Sequence, residues 1–323
     1  MAVDPAPSAR LHPQVQAVRV PDLDGPIDLD ALRAGYAETA RRLGGPVQDV
    51  AHVQNLRIPR GAGEADQDPV PARYYLPASF APGPAGVLVW LHGGGWIIGD
   101  LDGIDPACRA ICNASGHAVL SVDYRLAPEH PFPAGLEDAW HAVLWAAGDS
   151  GAEMLDIEPG RVVVGGDSAG GNLAAAVARR ARDAGVDLHG QVLVYPALDP
   201  TRDSSSYREF ADGPFLSRDE MGLAWSTYVG ADATERASDP DLAPLAAQSF
   251  AGLPAAHIAL AEIDPLHDDG VRYASALADA GVPVTVTTHP GMAHGFLRWA
   301  GAVDEAAVAL RAVGAAAGAF LGA

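Results

Sequence analysis

Residues 161–172 read RVVVGGDSAGGN, and this stretch carries the strongest structural signal in the chain. Three consecutive valines predict a buried strand, the glycines predict a sharp turn, and the alanine-rich segment 169–184 predicts a helix. Ser168 stands at the centre of a Gly-x-Ser-x-Gly pattern, whose glycines leave room for a strained turn that lifts the hydroxyl clear of a sheet. The spacing does not match the G-x-G-x-x-G of a dinucleotide-binding turn. A purely structural glycine turn is the remaining alternative for this stretch alone.

Strand and helix patterns alternate over most of the chain. Apolar runs without period-2 alternation indicate strands buried on both faces, as in a parallel sheet covered by helices. With two earlier segments, the predicted strands are 50–58, 70–76, 86–91, 118–122, 162–164, 192–195, 257–261 and 284–286. Helices are predicted at 29–43, 106–115, 135–147, 169–184, 268–280 and 303–320. This order predicts an α/β fold with a mostly parallel, eight-stranded sheet flanked by helices.

One insertion interrupts the alternation. About sixty residues separate Tyr195 from His257, whereas ordinary connections in such folds have about 2–6 residues. Within the insertion, Ser217 to Glu220 has the spacing of a capping box and precedes a predicted helix at 221–228. We expect this helix and the N-terminal helix to form a lid over the edge of the sheet.

A second glycine-rich segment, HGGGW at residues 92–96, directly follows a predicted buried strand. Three glycines let the main chain approach a bound molecule closely, and backbone N–H groups stabilise the oxyanion that develops during acyl transfer. The amide of Ala169, just after Ser168, is predicted to supply a further donor. A flexible loop is the alternative, but it is disfavoured between a buried strand and the apolar residues 96–98.

A serine nucleophile needs a base and a carboxylate that orients the base. Among eleven histidines, His294 lies in a glycine-bounded loop between the last strand and the last helix, whereas His289 is expected to face outward. Asp264 follows a buried strand and is the predicted carboxylate, with Glu262 as the alternative. The order Ser168, Asp264, His294 matches the hydrolase order and neither of two known protease orders.

Four separated motifs together resemble the α/β-hydrolase fold, and specifically the bacterial hormone-sensitive-lipase-like carboxylesterases. They are HGGGW at 92–96, DYRLAPEHPFP at 123–133, GDSAG at 166–170, and DPL at 264–266 with GMAHGF at 291–296. The resemblance implies Ser168 as nucleophile, His294 as base and Asp264 as its partner. It also implies an oxyanion hole formed by the amides of Gly93, Gly94 and Ala169.

The resemblance further implies a two-part cap over a catalytic domain. Residues 1–48 are expected to form its N-terminal part, and residues about 200–245 an insertion into the catalytic domain 49–323. Within the motif 123–133, Arg125 and Glu129 are expected to form an ion pair that stiffens the loop.

Large apolar side chains from three segments are expected to line a short substrate pocket: Trp96, Ile97, Phe215, Leu216, Phe296 and Leu297. Such pockets are concave and mostly apolar. The resemblance implies short- to medium-chain acyl esters as substrates. An amide or lactone hydrolase, which needs the same groups, and a non-catalytic ligand receptor on the same fold are the alternative functions.

The charge balance excludes several other classes of protein. The chain has 41 acidic residues against 21 basic ones, all of them arginine, for a net charge of −20. The absence of lysine excludes a Schiff-base or phosphate-loop lysine. The negative charge disfavours nucleic-acid and membrane partners and favours a neutral small-molecule ester.

No cofactor and no metal site is expected, because neither His nor Cys shows ligand spacing. The two cysteines, Cys108 and Cys112, are expected to be buried thiols on one helix face. We also expect a cytoplasmic protein without a signal peptide or a membrane span. The oligomeric state is left open between a monomer and a homodimer.

Overall fold

The computed structural model describes residues 6–19, 28–60, 68–79 and 85–322. Strands in this part of the chain form one sheet: β1 (His52–Ile58), β2 (Val70–Leu76), β3 (Val87–Leu91), β4 (Ala118–Val122), β5 (Val162–Asp167), β6 (Gly190–Val194), β7 (Ala256–Ile263) and β8 (Val284–Ala293). Their order across the sheet is β1-β2-β4-β3-β5-β6-β7-β8. Strand β2 runs antiparallel to β1 and β4, and every other neighbouring pair is parallel. The predicted mostly parallel, eight-stranded sheet is confirmed.

The α-helices of the same residues are α1 (Pro7–Arg10), α2 (Pro13–Ala17), α3 (Leu29–Leu43), α4 (Leu101–Ser115), α5 (Ala134–Ala147), α6 (Asp149–Leu155), α7 (Ala169–Ala184), α8 (Ser205–Glu209), α9 (Arg218–Val229), α10 (His267–Asp279) and α11 (Asp304–Gly322). Helices α4 and α11 cover one face of the sheet, and α5, α7 and α10 cover the other. Successive residues of β3 are buried against opposite helix layers. A strand covered on both sides has no solvent face, which explains its uninterrupted apolar sequence.

The start of α4 and the end of β8 differ most from the prediction, and one helix was not predicted. Helix α4 begins at Leu101 rather than at residue 106, because the side chain of Asp100 accepts the amide of Gly103 and starts the helix early. Helix α6 was not predicted. Strand β8 extends to Ala293, well beyond the apolar run 284–286, and its pairing with β7 contains a register shift between Ala261 and Ile263. The extension brings the end of β8 next to the carboxyl end of β7.

The N-terminal helix α3 and the insertion between β6 and β7 both contact the glycine loop that follows β3. Arg33 of α3 donates to the carbonyl oxygen of Ile97 at 3.1 Å. In α9, which begins with the predicted capping box, the rings of Trp225 and Tyr228 lie 4.3 and 4.6 Å from that of Trp96. Both segments therefore cover the same end of the sheet, although residues 1–5 and 20–27 of the expected N-terminal part lie outside the described residues.

The predicted ion pair between Arg125 and Glu129 is wrong. Arg125 pairs with Asp138 of α5 at 2.8 Å, and Glu129 pairs with Arg33 of α3 at 2.7 Å. Asp138 is buried, so its carboxylate requires cationic partners inside the protein, and Arg125 lies within reach of it. The ion pairs of Arg125 and Glu129 thus tie the loop to helices on both sides and do not join these two residues to each other.

Helix α11 is the one helix of the described residues that is long and apolar enough to cross a membrane by length and composition. In the fold it packs against α4 and buries Ala306, Ala309, Leu310 and Val313 in the core. Its apolar face is therefore accounted for by packing within the protein. Cys108 and Cys112 are free thiols buried on α4, as predicted.

Candidate active site

Ser168 occupies the turn between β5 and α7 in a conformation that L-residues rarely adopt, with φ 56° and ψ −117°. The flanking glycines are required by close packing around this turn. A Cβ atom added at Gly170 would lie 1.9 Å from the carbonyl oxygen of Leu91, and one at Gly166 would lie 2.5 Å from the backbone of Gly170. The turn is strained and densely packed, which is typical of functional sites.

The structure brings Ser168, Asp264 and His294 together, although each comes from a different strand end. Nε2 of His294 lies 2.9 Å from Oγ of Ser168, and Nδ1 of His294 lies 2.7 Å from Oδ2 of Asp264. Asp264 is fully buried, and its Oδ1 accepts the amide of Leu266 at 2.8 Å. Because an ionised carboxylate can only accept hydrogen bonds, Nδ1 carries the proton and the lone pair of Nε2 faces the serine hydroxyl.

The alternative residues have other partners. Glu262 accepts the amide of Gly291 at 2.7 Å and pairs with Arg10 at 3.0 Å, and the hydrogen bond from Gly291 lowers the pKa of its carboxyl group. It anchors the start of the loop that carries His294. His289 was expected to face outward, and this is wrong: it is buried and contacts Glu305 at 2.7 Å, because β8 continues through it.

The glycine loop corrects one predicted oxyanion donor. The amide of Gly93 donates to Oδ1 of Asp167 at 3.0 Å and is therefore already engaged. Among the described residues, the amides of Gly94, Gly95 and Ala169 have no hydrogen-bond acceptor. Gly95 therefore takes the place of Gly93 among the candidate oxyanion donors. The sequence could not distinguish them, because residues 93–95 are all glycine.

His92 supports the loop rather than the chemistry. Its ring stacks on Tyr124 at 4.5 Å, and its Nδ1 donates to the carbonyl oxygen of Gly93 at 2.9 Å. Burial lowers the pKa of His92 to about 4, so the imidazole is neutral near neutral pH.

Two of the predicted pocket residues are fully buried in the core. Phe296 and Leu297 are both 0% exposed, and Phe296 packs on the rings of Tyr195 and His289 within the core. The chain turns towards the core after His294, so these side chains pack against buried residues next to the site. Trp96 and Ile97 are also buried, whereas Phe215 and Leu216 of the insertion keep partial exposure. Ser168 itself is 8% exposed, so little of it reaches solvent.

Two residues around the site were missed by the sequence reasoning. Arg298 is buried and donates from Nε to Oδ2 of Asp167 at 3.0 Å. The ring of Tyr195 packs on that of His294 with 4.7 Å between centroids. Arg298 could have been found from the sequence, because it is the one charged residue in the apolar run 296–299. Nothing in the sequence indicated that Tyr195 would contact His294. No group of His, Cys, Asp and Glu in the described part of the chain is arranged to hold a metal ion.

Comparison with known proteins identifies the family. A family model described as the alpha/beta hydrolase fold matches residues 88–298. Carboxylic ester hydrolase LipN of Mycobacterium tuberculosis is 42% identical over 275 residues, covering 84% of this chain and 70% of that protein. Esterase LipI of the same organism is 40% identical over 280 residues, covering 86% of this chain and 84% of that protein.

A solved structure is similar over nearly the whole length. It is an ester hydrolase from the metagenome of Lake Arreo in complex with a derivative of bipyridine phosphonate, with a TM-score of 0.88 and 35% identity over 97% of this chain and 100% of that one. The fold and the comparisons together define an ester hydrolase. The chain belongs to the α/β-hydrolase family, in its hormone-sensitive-lipase-like branch, and is a serine carboxylesterase.

Proposed function

We propose that Ser168 is the nucleophile of this esterase, His294 its general base and Asp264 the carboxylate that orients the base. The observation that carries the assignment is the unbroken chain of contacts from Oγ of Ser168 through both ring nitrogens of His294 to Oδ2 of Asp264. Burial of Asp264 supports the assignment, because a desolvated carboxylate holds one imidazole tautomer firmly.

The proposed reaction proceeds in two steps. Oγ of Ser168 forms a bond to the ester carbonyl carbon while its proton passes to Nε2 of His294. The bond to the alkoxy oxygen then breaks, and Nε2 gives the proton to the departing alcohol. In the second step, water attacks the acyl-enzyme and transfers a proton to His294. Release of the carboxylic acid returns that proton to Ser168.

We assign the oxyanion hole to the amides of Gly94, Gly95 and Ala169. Ala169 is the first residue of α7, where an amide has no acceptor within the helix and the helix dipole favours negative charge. Gly95 faces the insertion, since a Cβ atom there would lie 3.2 Å from Ala224 of α9. Each donor of this kind lowers the barrier by about 3 kcal/mol, because it strengthens as the oxyanion forms.

The substrates we propose are neutral esters with short- to medium-length acyl chains. Support comes from the aromatic cluster of Trp96, Trp225 and Tyr228, which packs the glycine loop after β3 against α9 and leaves bulky apolar side chains beside that loop. In this proposal residues 1–48 and about 200–245 act as the cap, and the remainder of 49–323 is the catalytic domain. A net charge of −20 disfavours nucleic acid and an anionic membrane as partners, and we propose a cytoplasmic enzyme.

Labelling with an activated phosphonate ester tests the assignment. We expect one equivalent to bind, with mass spectrometry of the digested protein placing it on Ser168, and hydrolysis of p-nitrophenyl butyrate to stop in proportion. Ser168→Ala should abolish both labelling and turnover, whereas Ser115→Ala, at the end of α4, should leave both unchanged. Labelling at another residue, or more than a few per cent of activity in Ser168→Ala, contradicts the proposal.

A further inference from the structure

The loop after His294 carries an arginine that the proposed reaction does not use. Arg298 is 9% exposed, and its guanidinium donates to both carboxylate oxygens of Asp167, from Nε at 3.0 Å and from Nη2 at 3.2 Å. Asp167 is the residue immediately before Ser168 and is itself buried. An ion pair in such surroundings is weakly screened, and loss of one partner leaves the other charge buried and unpaired. Arg298 thus joins the loop of the base to the turn of the nucleophile.

The same pair holds the glycine loop. The amide of Gly93 donates to Oδ1 of Asp167 at 3.0 Å, and its carbonyl oxygen accepts from Nη2 of Arg298 at 3.2 Å. That carbonyl also accepts from Nδ1 of His92 at 2.9 Å. Both polar groups of Gly93 are therefore fixed, and the peptide plane that follows sets the direction of the Gly94 amide. Gly94 and Gly95 have φ of 131° and 59°. Because glycine adopts many backbone conformations readily, contacts from other segments are needed to hold the loop in this one.

A residue of the N-terminal helix completes the arrangement. The guanidinium carbon of Arg298 lies 5.1 Å from the centroid of the Tyr36 ring, within the range of a cation–π contact. The hydroxyl of Tyr36 lies 3.5 Å from the carbonyl oxygen of Gly93, and burial raises the pKa of Tyr36 to about 12, which keeps the phenol protonated. Helix α3 therefore shields the ion pair from water.

We propose that Arg298 is a positioning residue for the oxyanion hole: paired with Asp167, it holds Gly93 so that the amides of Gly94 and Gly95 point at the developing oxyanion. This inference rests on the proposed function, because it presupposes attack by Ser168. Arg298 makes no hydrogen bond to His294, so its contribution is to the donors and not to proton transfer.

This role predicts a specific kinetic pattern. The donors act chiefly when negative charge develops, so disturbing them lowers kcat and leaves KM nearly unchanged. Arg298→Met should lower kcat by about 10²-fold, comparable to the loss of one oxyanion donor, with KM within about threefold of the wild type. Arg298→Lys should recover about tenfold of that loss, because an ammonium group can pair with Asp167 but lacks the planar fork that also reaches Gly93.

The test compares an inhibitor that forms an oxyanion with one that does not. With a trifluoromethyl ketone of butyrate length, Oγ of Ser168 bonds to the ketone carbon and its proton passes to Nε2 of His294, which yields a hemiketal oxyanion. The matching alcohol only occupies the pocket. Affinity for the ketone should fall in Arg298→Met by the same factor as kcat/KM, and affinity for the alcohol should stay at the wild-type value.

Arg60→Met is the matched control, because Arg60 is also a buried arginine (side chain 4% exposed) that pairs with a buried carboxylate, that of Asp138. Asp138 lies on α5 and contacts none of the site residues. This variant should lose stability while keeping wild-type kcat per active site. Wild-type kcat and ketone affinity in folded Arg298→Met, with only the melting temperature lowered, overturn the positioning role.

Two further comparisons separate failure of the positioning role from failure of the proposed function. If Arg298→Met does not fold, Arg298→Lys decides: parallel losses of about tenfold in kcat and ketone affinity support the role, and wild-type values for both overturn it. If the wild-type enzyme forms no ketone adduct on Ser168, the proposed function itself fails. An adduct in the wild type that persists unweakened in both Arg298 variants refutes the positioning role alone.

Discussion

Replacing Asp264 by asparagine is expected to move the ring proton of His294 from Nδ1 to Nε2, while the size of the buried side chain stays the same. Oδ1 of Asp264 accepts the amide of Leu266, so the asparagine oxygen is held there and its amide nitrogen faces Nδ1 of His294. Nδ1 must then accept a hydrogen bond, which moves the ring proton to Nε2. In that tautomer the ring donates to Ser168 and cannot take its proton. The expected loss in kcat is about 10⁴-fold, or about 5 kcal/mol of barrier.

The measurement is kcat for p-nitrophenyl butyrate per active site, titrated with a phosphonate, in protein whose folding is checked by circular dichroism. Glu262→Gln is the matched control, since Glu262 lies near the end of β7 and contacts Gly291 rather than His294. It should cost less than about tenfold, through a looser base loop. Retention of more than about a tenth of activity in Asp264→Asn, or an equal loss in Glu262→Gln, refutes the assignment of Asp264.

Three other outcomes are expected. Ser168→Ala and His294→Ala should each lower kcat by about 10⁴–10⁶-fold, and the double variant should lose little more; additive losses would place His294 in a different step. Burial lowers the pKa of His92 from 6.5 to about 4, so between these values the unfolded chain takes up a proton that the folded protein does not. The free energy of unfolding should therefore fall by about 3 kcal/mol as the pH drops across that range, and denaturant titrations of the wild type and His92→Gln with equal pH dependence would disprove it. Finally, kcat/KM should rise from acetyl to about butanoyl or hexanoyl esters and then fall, because each methylene gains about 0.8 kcal/mol only while room remains; a continued rise through about sixteen carbons would indicate a true lipase.

Local signals in the sequence were sufficient for the sheet and for the three proposed catalytic side chains. The unalternating apolar runs identified strands buried on both faces, since burial on both faces removes the need for polar positions. The glycines around Ser168 marked its turn, because only a residue without Cβ fits where the backbones approach so closely. Asp264 and His294 were found from their places after consecutive strands, whose carboxyl ends meet at one edge of a parallel sheet.

The tertiary structure alone decided which groups around the site are already engaged. Gly93 and Gly95 are the same residue type in one run, and only the approach of Asp167 from another strand distinguishes the bonded amide from the unengaged one. Phe296 and Leu297 have the composition of pocket residues, but the inward turn of their loop buries them. Arg125 and Glu129 are near in sequence, yet each pairs with a helix residue outside the loop. Periodicity and spacing report how a segment meets water and its near neighbours, whereas these pairings depend on distances between segments that meet only after folding.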